Sequence, residues 1–168
     1  MADPFAIFEK FVRSTTKVGP SLREYENVEH PFDERNIHSA LPRGVKKLFD
    51  DGHYAQATFE AFKFVDKEVA RIAHHSESGF KLMMAVFAEN TPIIKLTNCS
   101  STTEKDEQKG FQFLFAGSTL AIRNPRGHEY GLHDTPDECL DHLSIASVLL
   151  RRLEAAGYSL QSVSCQCH

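Results

Sequence analysis

The chain has no tryptophan, only three methionines and only four cysteines among its 168 residues. Cys99, Cys139, Cys165 and Cys167 lack the regular spacing of a disulfide framework, which makes a reducing cytoplasm the expected location. No apolar run approaches bilayer-spanning length, and the N-terminus lacks the charged-then-apolar pattern of a secretory signal, so no membrane role is expected. Positive charge is not in excess either. The net charge is −4, which excludes a global positive field holding nucleic acid in a passive coat. Any contact with RNA must then come from a local cluster. Strand-like text is confined to residues 93–97, and a single five-residue strand finds no partner in this sequence, so it reads as an extended connection.

What is present points to helices. Thirteen phenylalanines and 41% hydrophobic residues can build one domain with one sizeable core. Phe5, Phe8, Phe11 and Val12 predict an amphipathic helix over residues 1–13, which would dock on the body or on a partner chain, with a linker after it. Pro42 can open a short helix to Phe49. Tyr54, Thr58, Ala61, Val65, Val69 and Ile72 then recur at three- and four-residue steps and predict a long helix from His53 to about His74. Ser78 is the expected cap of a helix reaching about Glu89, with Phe80, Met83, Met84 and Phe87 on its apolar side.

Thr103 is the expected cap of the following helix, whose stripe would be Phe111, Leu114, Phe115, Ser118 and Ile122. Gly110 and Gly117 are expected to admit another helix closely. Pro125 should end or kink this helix, because the residue before a proline is pushed away from helical dihedrals. Thr135-Pro136-Asp137-Glu138 is a capping box opening a helix to Ala156, with Gly157 as its stop. The sum is an all-α helical bundle. Its expected parts are an N-terminal helix and linker over residues 1–40, a helical domain over 41–157 and a tail over 158–168.

The densest chemistry is Arg123-Asn124-Pro125-Arg126-Gly127-His128-Glu129. A guanidinium and an imidazole could share one phosphate: the cation would neutralise charge growing on the phosphoryl oxygens, and the imidazole would move a proton. That suffices to cut RNA through its own 2′-hydroxyl without a metal or cofactor. Five residues along an uninterrupted α-helix, however, place two side chains about 140° apart. Convergence requires a break between them, which Pro125 and Gly127 are expected to supply. The competing reading has Arg123 capping the helix through its carbonyls and His128 as a loop residue.

Asn124 could orient the histidine, bind a phosphate oxygen or cap the following turn. Arg126 is expected to be exposed, either on backbone phosphate or as a solvated charge. Glu129 could fix the imidazole tautomer or face water. Glu60 and Lys63 could face the cleft or form a solvated pair on their own helix. His53 reads as a helix-start residue, and His74, His75, His133 and His142 as surface residues. Cys165, Cys167 and His168 offer three donors at a chain end, which close no four-ligand site.

Arg123-Asn124, three residues, then His128 resembles the R-N-x-x-x-H signature of the HEPN superfamily. Gly52-His53-Tyr54-Ala55, Phe59-Glu60-Ala61-Phe62-Lys63, Gly110-Phe111, Leu114-Phe115-Ala116-Gly117 and Ile122-Arg123-Asn124-Pro125 resemble its Ymh-like branch, over roughly residues 41–157. The resemblance implies a helical, metal-independent endoribonuclease with His128 as base or acid, Arg123 as phosphate clamp and Asn124 as orienting group. It also implies a homodimer with the cleft at its two-fold, an RNA substrate in phage defence or a toxin–antitoxin pair, and a neutralising antitoxin or an effector partner. The alternative it leaves open is a non-catalytic interaction or sensor module that binds a partner, nucleotide or RNA.

Overall fold

The computed structural model of the chain describes residues 29–129 and 131–161. The expected helix over residues 1–13 and the Cys165, Cys167 and His168 donors lie outside them. The described residues are all-helical, without a strand. In chain order they form α1 (Pro31–Glu34), α2 (Arg43–Asp50), α3 (Tyr54–Ala73), α4 (Gly79–Val86), α5 (Thr102–Ser118), a π-helical turn (Thr119–Arg123), α6 (Asn124–His128) and α7 (Pro136–Ala155).

The two twenty-residue helices α3 and α7 pack against each other, and the rest is arranged on that pair. Their stripes explain why. Thr58, Ala61, Val65 and Val69 of α3 are buried against a core that also takes Leu140, Leu143, Leu150 and Leu153 of α7. Full burial of each large aliphatic side chain stabilises by about 1.5–3 kcal/mol. Thr135 caps α7 by accepting the Glu138 N–H while the Glu138 carboxylate accepts the Thr135 N–H, which is the expected box. Those hydrogen bonds hold the Glu138 carboxyl below its ordinary pKa.

Several expectations are corrected. Residues 31–40, read as linker, pack on the core through Phe32, Ile37 and Ala40. His38 there is buried, donating its N–H to Ser147 Oγ and pairing Nε2 with Glu154 at 3.0 Å. Ser101, not Thr103, caps α5 by accepting the Glu104 N–H. Phe80 is 41% exposed, because Leu82, Met83 and Val86 take the inward side of α4 instead. Leu114 points outward, and Gln108 and Gln112 join Phe115, Ala116 and Ser118 at the buried positions of α5.

The extended connection after α4 has a specific support. Leu96 donates its N–H to Gln108 Oε1 at 2.8 Å, and Gln108 Nε2 donates to the Phe87 and Ile94 carbonyls. One buried amide thus satisfies backbone that has no strand partner. Helix α4 is anchored in a similar way. Ser78 gives it no side-chain cap, and Asp66 of α3 accepts the Gly79 N–H at 2.6 Å. Gly79 sits at φ +69, a region glycine enters without Cβ strain.

Candidate functional site

The seven-residue motif begins at the π turn. Ser118 and Thr119 both donate their hydroxyls to the Phe115 carbonyl, at 2.9 and 3.1 Å, and the Asn124 N–H reaches back five residues to the Thr119 carbonyl. Such hydroxyl back-bonding bends helices, and a π turn widens them. The distortion falls where Pro125 would otherwise press on the carbonyl four residues earlier and leave the ladder short of a donor. It therefore lies before Arg123, and not between Arg123 and His128. Asn124 keeps helical dihedrals, φ −64 and ψ −43, and α6 runs unbroken to His128. The expected break at Pro125 and Gly127 is absent, because the π turn already accommodates the proline. Arg123 and His128 consequently leave the helix about 140° apart.

The two arginines of the motif sit in opposite surroundings. Arg126 was expected to be exposed; its side chain is only 9% exposed and is fully engaged. Its Nη2 and Nε donate to the two oxygens of Asp134 at 2.6 and 2.7 Å, and its Nη1 donates to the Ile122 carbonyl at 2.8 Å. Asp134, with 4% of its side chain exposed, also accepts from Thr58 Oγ1 at 3.2 Å and lies 3.8 Å from His142 Nδ1. This is a bidentate buried ion pair joining α6 to α3 and to the approach to α7. His142 belongs to it rather than to the surface: burial first, then the Arg126 charge, lowers its pKa, against the Asp134 carboxylate that raises it. Cys139 is buried beside the same group, and desolvation pushes its thiol up to about 11, which makes it inert.

Arg123 lies on the other side. Its guanidinium carbon stands 5.7 Å from the centre of the Phe59 ring, and Nη1 donates to the Asn124 amide oxygen at 3.4 Å. The Nε atoms of Arg123 and Arg152 are buried without an acceptor among the described residues. Arg152 still holds Glu107 at 2.8 Å through Nη2, whereas Arg123 has no carboxylate partner among the described residues. Lys63 Nζ also stands 5.7 Å from the Phe59 ring, but Glu60 binds it at 2.9 and 3.1 Å, the solvated helix pair that was one of its two readings. Gly127 closes the floor: a Cβ there would come within 2.7 Å of the Phe59 ring. His128 and Glu129 are exposed, and neither side chain forms a hydrogen bond among the described residues.

Asp134 was missed by sequence reasoning, Phe59 entered it only as part of a family block, and His142 was read as a surface residue. The capping box at Thr135 hid Asp134, since the residue just outside a helix start looks like a loop charge. Among the described residues no group of three or more His, Cys, Asp or Glu side chains could hold a metal, and no helix is long and apolar enough to cross a membrane.

The described residues thus define an all-helical fold with a half-buried arginine that has no carboxylate partner among them, carried on a π-distorted helix. The model of a family described as a protein of unknown function (Hypoth_ymh) matches residues 35–153, and the chain belongs to that family. No curated protein and no solved structure matches it.

Proposed function

We propose that this chain is a HEPN-type, metal-independent endoribonuclease, acting as a homodimer in phage defence or as the toxin of a toxin–antitoxin pair. The observation that supports this reading is the state of Arg123: a cation on an aromatic floor, its Nε buried and unpaired among the described residues, with a neutral amide as its hydrogen-bond partner there. Such a guanidinium is poised for an anion that the described residues do not provide. An RNA phosphate has the matching charge and oxygen geometry. In the reaction, His128 takes the 2′-hydroxyl proton, the 2′-oxygen bonds to the adjacent phosphorus, and the bond from phosphorus to the 5′-oxygen breaks, the leaving oxygen taking a proton from solvent water. Arg123 stabilises the charge on the non-bridging oxygens, and Asn124 holds the guanidinium. The products are a 2′,3′-cyclic phosphate and a 5′-hydroxyl. Because Arg123 and His128 diverge on the helix, the strand must pass over the end of α6 to meet both. Digestion of total RNA by the parent and by His128→Ala, with and without chelator, tests this: cleavage by the parent should survive the chelator and be lost in the variant. Cleavage that stops with divalent metal removed counts against the chemistry.

The unbroken helix between the two side chains favours a second reading, a non-catalytic module that binds RNA, a nucleotide or an effector protein through Arg123. Its mark is parent and His128→Ala behaving alike, both in RNA digestion and in toxicity on expression.

A further inference from the structure

We propose that the cavity beside the start of α3, where the chain comes in to Asp134, takes one unstacked nucleobase of the RNA strand that Arg123 holds. This rests on the ribonuclease reading and names the part of the substrate recognised beyond its phosphate. The cavity holds about 200 Å³, and its walls include His53, Tyr54, Gln56, Leu132, His133 and Asp134. A site for a drug-sized molecule runs to about 300–1,000 Å³, so this one suits a single flat ring system.

The chemistry of the walls favours a base over a phosphate. No lysine or arginine lines the cavity. Its one carboxylate, Asp134, is bound at both oxygens by Arg126, and only 4% of its side chain is exposed. A phosphate therefore meets no permanent cation there. A base brings flat faces for the rings of His53, Tyr54 and His133, and an edge of donors and acceptors for the Gln56 amide, which offers both. The deeper walls are set before a ligand arrives. Tyr54 stands edge-on to Phe49 with ring centres 5.2 Å apart, and the Thr58 hydroxyl holds Asp134 at 3.2 Å. At the mouth, His53 and His133 are exposed, and neither imidazole forms a hydrogen bond among the described residues.

Placement ties the cavity to Arg123. Ala55, also in its wall, lies one turn before Phe59 on the same side of α3, about 6 Å along the axis. Phe59 carries the Arg123 guanidinium and lies against Gly127, and the Arg126–Asp134 pair fastens α6 to the far wall. A strand that crosses the end of α6 from Arg123 past His128 runs toward this opening. Single-stranded RNA is commonly read in that way, by bases turned out of the stack onto aromatic side chains.

The test uses oligonucleotides methylated at every 2′-oxygen, which cannot be cut, so its outcome is separate from whether the chain cleaves RNA. The full chain should bind the better of oligoadenylate and oligouridylate about 5- to 150-fold more tightly than an abasic strand of equal length. His133→Ala and Gln56→Ala, with helical circular dichroism unchanged, should lose most of that advantage. Arg123→Gln should weaken base-bearing and abasic strands by the same factor, because Arg123 meets phosphate alone. This pattern in a chain that leaves total RNA intact upholds the base site and counts against the ribonuclease reading. Equal binding of base-bearing and abasic strands by the parent, an advantage that survives both cavity variants, or binding of free adenylate or uridylate without binding of the strands each overturns the proposal.

Discussion

Arg126 and Arg123 leave the same helical run three residues apart, yet the first is locked to a carboxylate and the second has none among the described residues. The chain turning back at Asp134 makes that difference: it brings a buried carboxylate under Arg126 and leaves Arg123 to face Phe59 and Asn124. A basic cluster in a sequence therefore overstates the charge available to a ligand. Its free part is what remains after the protein's own acids have been matched. Here the residue nearest the middle of the motif is a structural strap, and the residue at its start is the open cation.

The largest effect that would break this contrast is on stability. Asp134→Ala leaves the Arg126 charge buried without its partner and should cost about 3–5 kcal/mol in urea unfolding, whereas Arg123→Gln should change the same measurement by less than about 0.5 kcal/mol. Comparable losses in the two variants would mean that Arg123 is structural as well. A smaller effect concerns the floor between α3 and α6. Gly127→Ala drives a methyl to 2.7 Å from the Phe59 ring and should cost about 1–3 kcal/mol, with Phe59→Leu in the same chain restoring part of it. Melting temperatures of the single and double variants read this directly.

The smallest effect is the pH dependence of the Asp134 node. The folded pKa of His142 lies below its ordinary 6.5, so between those two values the unfolded chain binds more protons. The contribution of His142 is therefore complete above pH 6.5 and lost as pH falls toward the folded value, with a slope below about 1.4 kcal/mol per pH unit. His142→Asn should flatten urea-midpoint profiles in that window. Glu138, also lowered, acts in a different window, below its ordinary 4.5, and its slope should remain in the variant.

Local rules read much of the fold correctly. The α3 stripe, Pro42 before α2 and the Thr135 capping box follow from spacing and cap chemistry, which act within a few residues. Contacts that cross between elements were not readable. Nothing near Gly79 announces that Asp66 will accept its N–H, and nothing near residues 93–97 announces Gln108. Periodicity tells which side of a helix turns inward, but not which polar group meets it there. The proline rule misled for a related reason: it treats the helix before Pro125 as regular, and the π turn after Ser118 had already changed the register. Gly110 and Gly117 were read as points of helix approach, yet their Cβ positions meet nothing within 4 Å among the described residues.

In the proposed function, Arg123, which has no carboxylate partner among the described residues, is the cation that meets RNA phosphate. The most direct test is cleavage of total RNA in chelator by the parent and by Arg123→Gln, with product ends identified. The parent should yield 2′,3′-cyclic phosphate and 5′-hydroxyl ends, and the variant should cut about 10²- to 10³-fold more slowly while unfolding at the parent's urea midpoint. A variant that cuts as fast as the parent, or a parent that leaves RNA intact, would contradict it.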